Sequence, residues 1–352
     1  MKKRTLGNDA HDPTAHTDRN VDFVLTWVDG ADPEHRERRL SHIHSARYLP
    51  MEKARHETRF HNNGEIYLAI ASILKNAPFA RHIWIVTDRQ VPPLLSEFGK
   101  AGLLDGHKIT IVDHQEILGD VPDALPTFNS ITIESGLWRI EGLAEKYVYL
   151  NDDFVLLNAL DESYFFDGDQ PVIRGRVLVP EMNGFKSRRR RYLRRLTFRP
   201  PNGRPKYKLS QEIAARLTGR RKDFIHIEHW PHPVRRSTQE AFLRKNWKIF
   251  EKQVRYRFRD GAQYSAISLA NHLEDPDTVL PPPRAAYLDP TQLERVTDEL
   301  AAFTNGTCDV GCMQSLELFS KETQERLMTA LVSRFRTHLP EKIQKHLLTE
   351  VA

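Results

Sequence analysis

Four short apolar segments of this chain each end in an acidic residue. Short apolar runs followed by helical sequence are typical of parallel strands that are covered on both faces. Because the carboxyl ends of such strands meet at one edge of a sheet, the sequence predicts an α/β fold with an acidic crevice at that edge. The segments are residues 21–28, 82–87, 108–112 and 146–150, and the acids that follow them are Asp29, Asp88, Asp113, Asp152 and Asp153.

The fourth segment ends in three oxygen-bearing side chains, Asn151, Asp152 and Asp153. Adjacent carboxylates repel each other, and a divalent cation that bridges them to a substrate phosphate would neutralise them. Because the available ligands are oxygens, Mg²⁺ is expected at Asp152 and Asp153, with Mn²⁺ as the alternative. A helix N-cap is the competing interpretation, since Asn and Asp also favour that position. The repetition of acids after four strands favours the cation.

Length and composition limit the classes of protein to which this chain can belong. A chain of 352 residues with 39% hydrophobic content can bury one large core or two. Residues 1–20 are expected to form a flexible polar lead-in, because no apolar segment follows the first basic residues as it does in a secretory signal. Two cysteines, Cys308 and Cys312, are too few for a disulfide framework. These features lead us to expect a cytoplasmic protein.

Positive charge is concentrated between residues 171 and 259, which contain 26 Lys and Arg against 6 Asp and Glu. The remainder of the chain is therefore acidic overall. The densest run, Arg188 to Arg195, repels itself as a helix, and we expect it to bind a polyanion or to make a peripheral contact with the inner face of a membrane. A solvated loop without a partner is the alternative.

Changes in composition divide the chain into five regions. A flexible lead-in precedes a nucleotide-sugar and metal-binding α/β region, which is followed by a basic acceptor region, a segment that completes the catalytic domain, and C-terminal helices. Within the second region, residues 63–76 have helical apolar spacing and stop at a breaker pair, and Ser130 is expected to cap a helix that contains Glu134. The predicted boundaries are 1–20, 21–170, 171–228, 229–320 and 321–352.

Several blocks of the sequence resemble the Stealth family of sugar-phosphate transferases, which includes bacterial capsular polysaccharide phosphotransferases and the enzyme that begins the mannose-6-phosphate tag. The resemblance implies a mostly parallel sheet of nucleotide-sugar-transferase (GT-A-like) type with a basic, mainly helical second region. The blocks are residues 21–33, 76–88, 125–130 and 149–153, with further matches at 229–233 and 257–259.

The resemblance also implies a reaction. A sugar 1-phosphate would pass from a UDP-sugar, UDP-GlcNAc or a similar hexosamine, to a hydroxyl of an acceptor sugar. The acceptor would be a free sugar or a growing phosphodiester-linked polysaccharide of a capsule or exopolysaccharide. The products would be a phosphodiester and UMP, and nucleic acid is not expected as a partner.

Roles for individual residues follow from the same resemblance. His229 is the candidate general base, with His232 as its rival, and Arg259 would hold two oxygens of the transferring phosphate. Asp29 is the third catalytic candidate, and Gly30 beside it would let the backbone approach the ligand. The candidate substrate-binding residues are Thr26, Trp27, Gly30, Asp88, Asn129, Ser130 and Arg139.

Two other functions are consistent with these residue types. A metal-dependent glycosyltransferase would use the same carboxylates but release UDP, because the sugar carbon and not the phosphorus is attacked. A nucleic-acid-binding or phosphodiester-cleaving protein would use the basic region and bind with a steep salt dependence. A nucleic-acid-binding or phosphodiester-cleaving protein would give no role to the acidic residues that follow the strands.

Overall fold

The computed structural model describes residues 5–6, 20–45, 62–181, 184 and 207–350. The basic run Arg188 to Arg195 and most of the lead-in lie outside these ranges. The strands are β1 (Thr5–Leu6), β2 (Val21–Thr26), β3 (Ala80–Thr87), β4 (Lys108–Asp113), β5 (Lys146–Asn151), β6 (Phe154–Leu156), β7 (Phe166–Asp167), β8 (Gln170–Pro171), β9 (Arg176–Leu178), β10 (Phe224–His226), β11 (His232–Arg235), β12 (Ala286–Leu288) and β13 (Val310–Met313).

The main sheet has six strands in the order β1-β4-β3-β2-β5-β11. Its four central strands are parallel to one another, but β1 and β11 join the two edges in antiparallel orientation. The fold is therefore α/β as predicted, whereas the sheet is mixed and not mostly parallel. The prediction was wrong because it rested on the long apolar runs, and the edge strands are two and four residues long.

The register of the central strands brings their carboxyl ends together. Thr26 of β2 pairs with Asn151 of β5 on one side and with Val86 of β3 on the other. Thr87 pairs in turn with Asp113 of β4. Residues that follow these four strands therefore emerge at one edge of the sheet, where open α/β sheets bind their ligands.

Helices cover both faces of the sheet and form most of the chain after residue 235. None of the helices in the described ranges has the length and apolar content needed to span a bilayer. The helices are α1 (Pro33–Ser45), α2 (Glu65–Asn76), α3 (Ser96–Lys100), α4 (His114–Leu118), α5 (Ser130–Glu134), α6 (Tyr207–Leu217), α7 (Arg236–Lys245), α8 (Trp247–Val254), α9 (Ala266–Glu274), α10 (Val296–Thr304), α11 (Lys321–Phe335) and α12 (Glu341–Glu350).

The packing of β2 shows how the sheet separates two apolar cores. Phe23 and Leu25 belong to one buried cluster and Val24 belongs to the other, since successive side chains of a strand point to opposite faces. The first cluster includes α2, α11 and α12, and the second includes α7, α8 and α9. Both faces are thus covered, which explains why the central strands are apolar along their whole length.

Helix α2 lies at the centre of the first core and confirms the predicted helix. It is buried along its length except at Lys75, and it ends at Asn76 as the breaker pair indicated. It begins after Gly64, whose φ of +82° is in the left-handed region. A Cβ at Gly64 would also lie 2.5 Å from a methyl group of Leu347, so glycine is required there for two independent reasons.

The second region contains three helices, α6, α7 and α8, as well as strands. Strands β9 and β10 pair with each other, and β11 joins the main sheet beside β5. The prediction for α5 needs one correction, because Asn129 and not Ser130 is the N-cap residue, with its side chain accepting a hydrogen bond from the Ile131 amide.

Asp22 organises the amino-terminal end of the sheet. This side chain has no solvent exposure. It accepts two hydrogen bonds from the Arg81 guanidinium at 2.8 and 2.7 Å, one from Trp84 Nε1 at 2.8 Å and one from the Ala144 amide at 2.8 Å. The carboxylate thus ties β2 to β3 and to the turn before β5.

We expect Asp22→Ala to lower the free energy of unfolding by about 2–4 kcal/mol, because buried donors lose their acceptor. Urea denaturation followed by circular dichroism measures this change. The matched control is Asp120→Ala, which removes a carboxylate that is 65% exposed and pairs with Arg139, and should cost about 1 kcal/mol or less. Equal losses in the two variants would contradict the role of Asp22.

Candidate active site

The site is built around the adjacent ends of β2 and β5. Thr26 Oγ1 lies 3.2 Å from the Tyr149 hydroxyl, and this hydroxyl donates a hydrogen bond of 2.7 Å to Asn151 Oδ1. Three polar side chains thus form a connected chain across two paired strands. Thr26 was predicted as a site residue but Tyr149 was not, since an aromatic residue within an apolar run usually belongs to the core.

His229 reaches the same point from the other side of β5. Strand β11 begins at His232, directly opposite Tyr149 in antiparallel pairing, so the preceding loop passes the carboxyl end of β5. Asn151 Nδ2 lies 3.4 Å from His229 Nε2, a long contact in which the amide can donate only to an unprotonated ring nitrogen. The structure therefore places His229 beside the acidic turn, and its role as the general base remains a prediction.

The environment of His229 keeps its ring neutral. The side chain is open to solvent, but the protein atoms packed around it lower the pKa, more strongly than the nearby Asp153 raises it. His232 is buried inside β11, and burial lowers the pKa of His232 to about 3. Only His229 combines access from solvent with proximity to the carboxylates, so the structure favours it over its rival.

Asp152 and Asp153 form the turn between β5 and β6 and are half-buried. Burial raises the pKa of Asp152 well above its usual range, and the neighbouring charges of Asp153 and Glu65 raise it further. Burial also raises the pKa of Asp153, although His229 and a hydrogen bond from the Cys312 thiol oppose this shift. Nearby positive charge therefore does not offset the effect of burial on these two pKa values.

Asp153 has the features of a ligand for a cation. Among the described residues, its buried Oδ1 atom has no hydrogen-bond partner, which is costly for a carboxylate unless something else binds there. The described part of the chain holds no group of three or more His, Cys, Asp or Glu side chains arranged for a metal ion. Two carboxylates completed by substrate phosphate and water fit Mg²⁺, which is usually bound in that way.

Arg259 and Ser130 close another side of the site. Arg259 Nη2 donates a hydrogen bond of 2.6 Å to Ser130 Oγ. The two segments are held together nearby, since the Phe128 amide donates to the Arg257 carbonyl at 2.8 Å. Burial lowers the pKa of Arg259, whereas Glu134, Tyr149 and Asp153 raise it, so the guanidinium lies within electrostatic range of both the acidic turn and α5.

Glu134 is a site residue that sequence analysis interpreted as part of a helix cap. It is the last residue of α5 and lies within hydrogen-bonding reach of Ser130 and Tyr149. Burial raises the pKa of Glu134 to about 7, although Arg259 opposes the shift. One feature of the sequence indicated a different role. Glu134 follows Ser130 by four residues, so the two side chains share a helix face, and this spacing is one position out of phase with a capping box.

Other predicted residues have structural partners. Asn129 is 1% exposed, and its amide nitrogen donates to the Tyr256 carbonyl and to Gln263 Oε1, both at 2.9 Å. Arg139 donates to the Ile117 carbonyl and to Asp120 and stacks near three aromatic rings. These contacts explain why both side chains are held where they are, and their substrate roles remain predictions.

The remaining strand-end acids are engaged in local structure. Asp88 pairs with Arg38 at 3.0 Å, and Asp113 is the N-cap of α4 in a complete capping box. Asp29 accepts a hydrogen bond from the Ala31 amide at 2.9 Å, and its backbone amide donates to Gln90. The acidic crevice predicted from four strand ends is therefore concentrated at the turn after β5.

Trp27 and Gly30 follow β2 at this edge. Trp27 is 3% exposed and belongs to the core cluster that contains α2, which is the structural role expected of a tryptophan at a strand end. Gly30 is buried. Their contribution to a nucleotide-sugar pocket remains a prediction.

Two stretches of the chain match known conserved regions. Residues 19–41 match Stealth protein CR1, conserved region 1, and residues 59–172 match Stealth protein CR2, conserved region 2. The chain carries conserved regions 1 and 2 of the Stealth family. The Stealth regions contain the acidic turn, Ser130 and Glu134, whereas His229 and Arg259 lie outside them, so it is the fold that brings the latter two to the site.

Relatives with this similarity carry related names. An exopolysaccharide phosphotransferase of Nocardia farcinica is 30% identical over 328 residues, covering 90% of this chain and 58% of that protein. A capsular polysaccharide phosphotransferase of Actinobacillus pleuropneumoniae, cps1A, is 36% identical over 150 residues, covering 43% of this chain and 39% of that protein. This chain thus spans well under two thirds of the length of each.

One solved structure also matches this protein in part. Mouse xyloside xylosyltransferase 1 in its apo form aligns with a TM-score of 0.39 and 11% identity, covering 83% of this chain and 96% of that chain. The nucleotide-sugar-transferase type of the sheet remains a prediction.

The raised pKa of Glu134 gives a test of its placement. The folded protein keeps a proton on Glu134 up to a pH of about 7, compared with a reference value of 4.5. The stability contributed by this group is therefore complete below about pH 4.5 and is lost as the pH rises through 7. We expect Glu134→Gln to reduce the fall in unfolding free energy between pH 5 and pH 8, as measured by urea denaturation.

Glu325→Gln, on the exposed face of α11, is the matched control and should show the wild-type fall. A pH dependence that is identical in wild type and Glu134→Gln would place the Glu134 carboxyl in solvent and contradict the structure.

Proposed function

We propose that this protein is a capsular or exopolysaccharide phosphotransferase that moves a sugar 1-phosphate from a UDP-sugar to a hydroxyl of an acceptor sugar. The donor would be UDP-GlcNAc or a similar hexosamine derivative, and the products a phosphodiester and UMP. The observation that supports the proposal most strongly is the convergence of Asp152, Asp153, His229 and Arg259 at one sheet edge. The names of the relatives agree with it.

His229 is proposed to take the proton of the attacking hydroxyl. Its lowered pKa leaves the ring neutral at pH 7. The ring nitrogen that can accept the proton is Nε2, which Asn151 approaches at 3.4 Å, and the acceptor hydroxyl would take the place of this long contact. The acceptor oxygen then bonds to the phosphorus that carries the sugar, while the bond from that phosphorus to the UMP oxygen breaks. General-base assistance of this kind contributes about 10²–10⁴ in rate.

Arg259 is proposed to contact the phosphate that is transferred. Charge on phosphoryl oxygens grows towards the transition state, and a fixed guanidinium can stabilise two of them at once. The hydrogen bond to Ser130 fixes the direction of this side chain, so little reorganisation is needed when substrate binds. Glu134 and Tyr149 complete the polar surroundings on this side.

Asp152 and Asp153 are proposed to hold Mg²⁺, with Mn²⁺ as the alternative. The raised pKa values of both carboxyls and the unpaired Oδ1 of Asp153 support this assignment, because a cation would relieve both. When bound, the ion would neutralise charge on the diphosphate of the donor. Glu65 lies close enough to raise the pKa of Asp152 and would support the same ion indirectly.

The nucleotide released distinguishes this function from its alternative. Incubation with UDP-GlcNAc, Mg²⁺ and a panel of oligosaccharide acceptors should yield UMP together with a phosphodiester product, as measured by liquid chromatography and mass spectrometry. Release of UDP in its place would identify a glycosyltransferase and reject the proposal. Asp153→Asn should lose UMP release while retaining its circular dichroism spectrum, and Asp298→Asn, at an exposed position in the first turn of α10, should keep the wild-type rate.

We expect His229→Ala to keep UDP-sugar affinity but to lose turnover by about 10²–10⁴, since only the proton acceptor is removed. Calorimetric titration with the donor and single-turnover kinetics separate these two quantities. His338→Ala, in the surface turn before α12, serves as the matched histidine control and should be unaffected. A near-normal single-turnover rate in His229→Ala would dismiss its role as base.

A further inference from the structure

Tyr207 presents an exposed aromatic ring directly beside His229. The two rings lie 6.0 Å apart between centroids, at an interplanar angle of 67°. A second ring near His229 is that of Phe154, at 5.0 Å, but this residue is only 1% exposed. Tyr207 is 43% exposed, so an incoming molecule can contact this ring and the histidine together.

The position of Tyr207 is fixed by hydrogen bonds between α6 and the loop that carries His229. Its hydroxyl donates to the Glu228 carbonyl at 3.1 Å, one residue before His229. Gln211, one turn further along α6, is fully buried; it donates to the Ile227 carbonyl at 3.0 Å and accepts from the Ile227 amide at 2.8 Å. Helix α6 and the histidine loop therefore form one unit, in which the ring is preorganised for binding.

We infer that Tyr207 is the platform on which the pyranose ring of the acceptor sugar stacks. This inference rests on the proposed function, because it takes His229 as the group that binds the acceptor hydroxyl. A hydroxyl within hydrogen-bonding distance of His229 carries a sugar ring of about 5 Å across, and that ring must lie over one of the neighbouring surfaces. Tyr207 supplies an exposed aromatic face at that distance.

The groups around His229 differ in chemistry. Asp153 and Arg259 act on His229 electrostatically and are the groups proposed to hold the cation and the phosphate of the donor. Tyr207 contacts His229 through an aromatic ring, and because His229 is proposed to bind the acceptor hydroxyl, this ring is assigned to the acceptor. An aromatic ring suits the C–H groups of a pyranose, which has the amphipathic character that aromatic side chains favour.

The test compares Tyr207→Ala, Tyr207→Phe and Leu293→Ala in the full chain. The probes are UDP-GlcNAc with the methyl glycosides of glucose, galactose, mannose and N-acetylglucosamine, together with cellobiose, lactose and chitobiose. Three quantities are measured: KM for the best acceptor, KM for the donor, and release of nucleotide to water without acceptor. Leu293, 63% exposed on a remote turn, controls for loss of a surface apolar side chain.

Tyr207→Ala should raise the acceptor KM about tenfold, the order expected when an aromatic contact is lost. Donor KM and nucleotide release to water should stay within about twofold, since the donor side is untouched. Tyr207→Phe keeps the ring and should stay near wild type, as should Leu293→Ala. This separation of acceptor from donor constants is not expected of a side chain that only supports the fold.

Other outcomes would overturn the inference. An unchanged acceptor KM in Tyr207→Ala would show that the ring makes no contact, and a parallel loss of donor hydrolysis would show that it only supports the site. If UDP replaces UMP as the product, the proposed function fails, yet the acceptor KM still tests Tyr207. If no glycoside is turned over, saturation-transfer NMR of the same probes decides, and equal signals in wild type and Tyr207→Ala reject the platform.

Discussion

The double pairing of β5 is the constraint on which the site depends. This strand is held in parallel register by β2 and in antiparallel register by β11. The first pairing places Asn151 beside Thr26, and the second delivers the histidine loop to the same end. A shift of one residue in either register would turn the polar side chains to the opposite face, so the geometry of the acidic turn is a consequence of sheet pairing.

The acidic turn is energetically unfavourable when no ligand is bound. Burial raises the pKa values of Asp152 and Asp153, and the charges of Asp153 and Glu65 raise that of Asp152 further. Each added proton would weaken the turn as a cation ligand. Arg259, which opposes the rise at Asp153, is also attracted by Glu134. The turn is thus poised to gain stabilisation from a cation and a phosphorylated donor bound together, which would couple the binding of one to the other.

The sequence predicted the elements of this site better than their partners. Long apolar runs identified the four central strands, and three oxygen-bearing side chains in succession led to the prediction of Asp152 and Asp153 as cation ligands. Asp113 was included in the predicted acidic crevice because a carboxylate that caps a helix and one that binds a ligand cannot be distinguished when each follows a strand. Strand β11 was not predicted because its four residues include Pro233, which is unusual in a strand interior. Glu134 and Tyr149 could not be assigned, because their roles depend on contacts between distant segments.

The same fold separates the two sides of the proposed reaction. Arg259 and the carboxylates come from segments that meet at the ends of β2 and β5, whereas Tyr207 comes from α6 and is clamped to the histidine loop by Gln211. His229 contacts Tyr207 and Asn151 and lies within electrostatic range of Asp153 and Arg259. A change in acceptor preference could therefore evolve in α6 while the carboxylates and Arg259 are kept, because these groups belong to other segments of the chain.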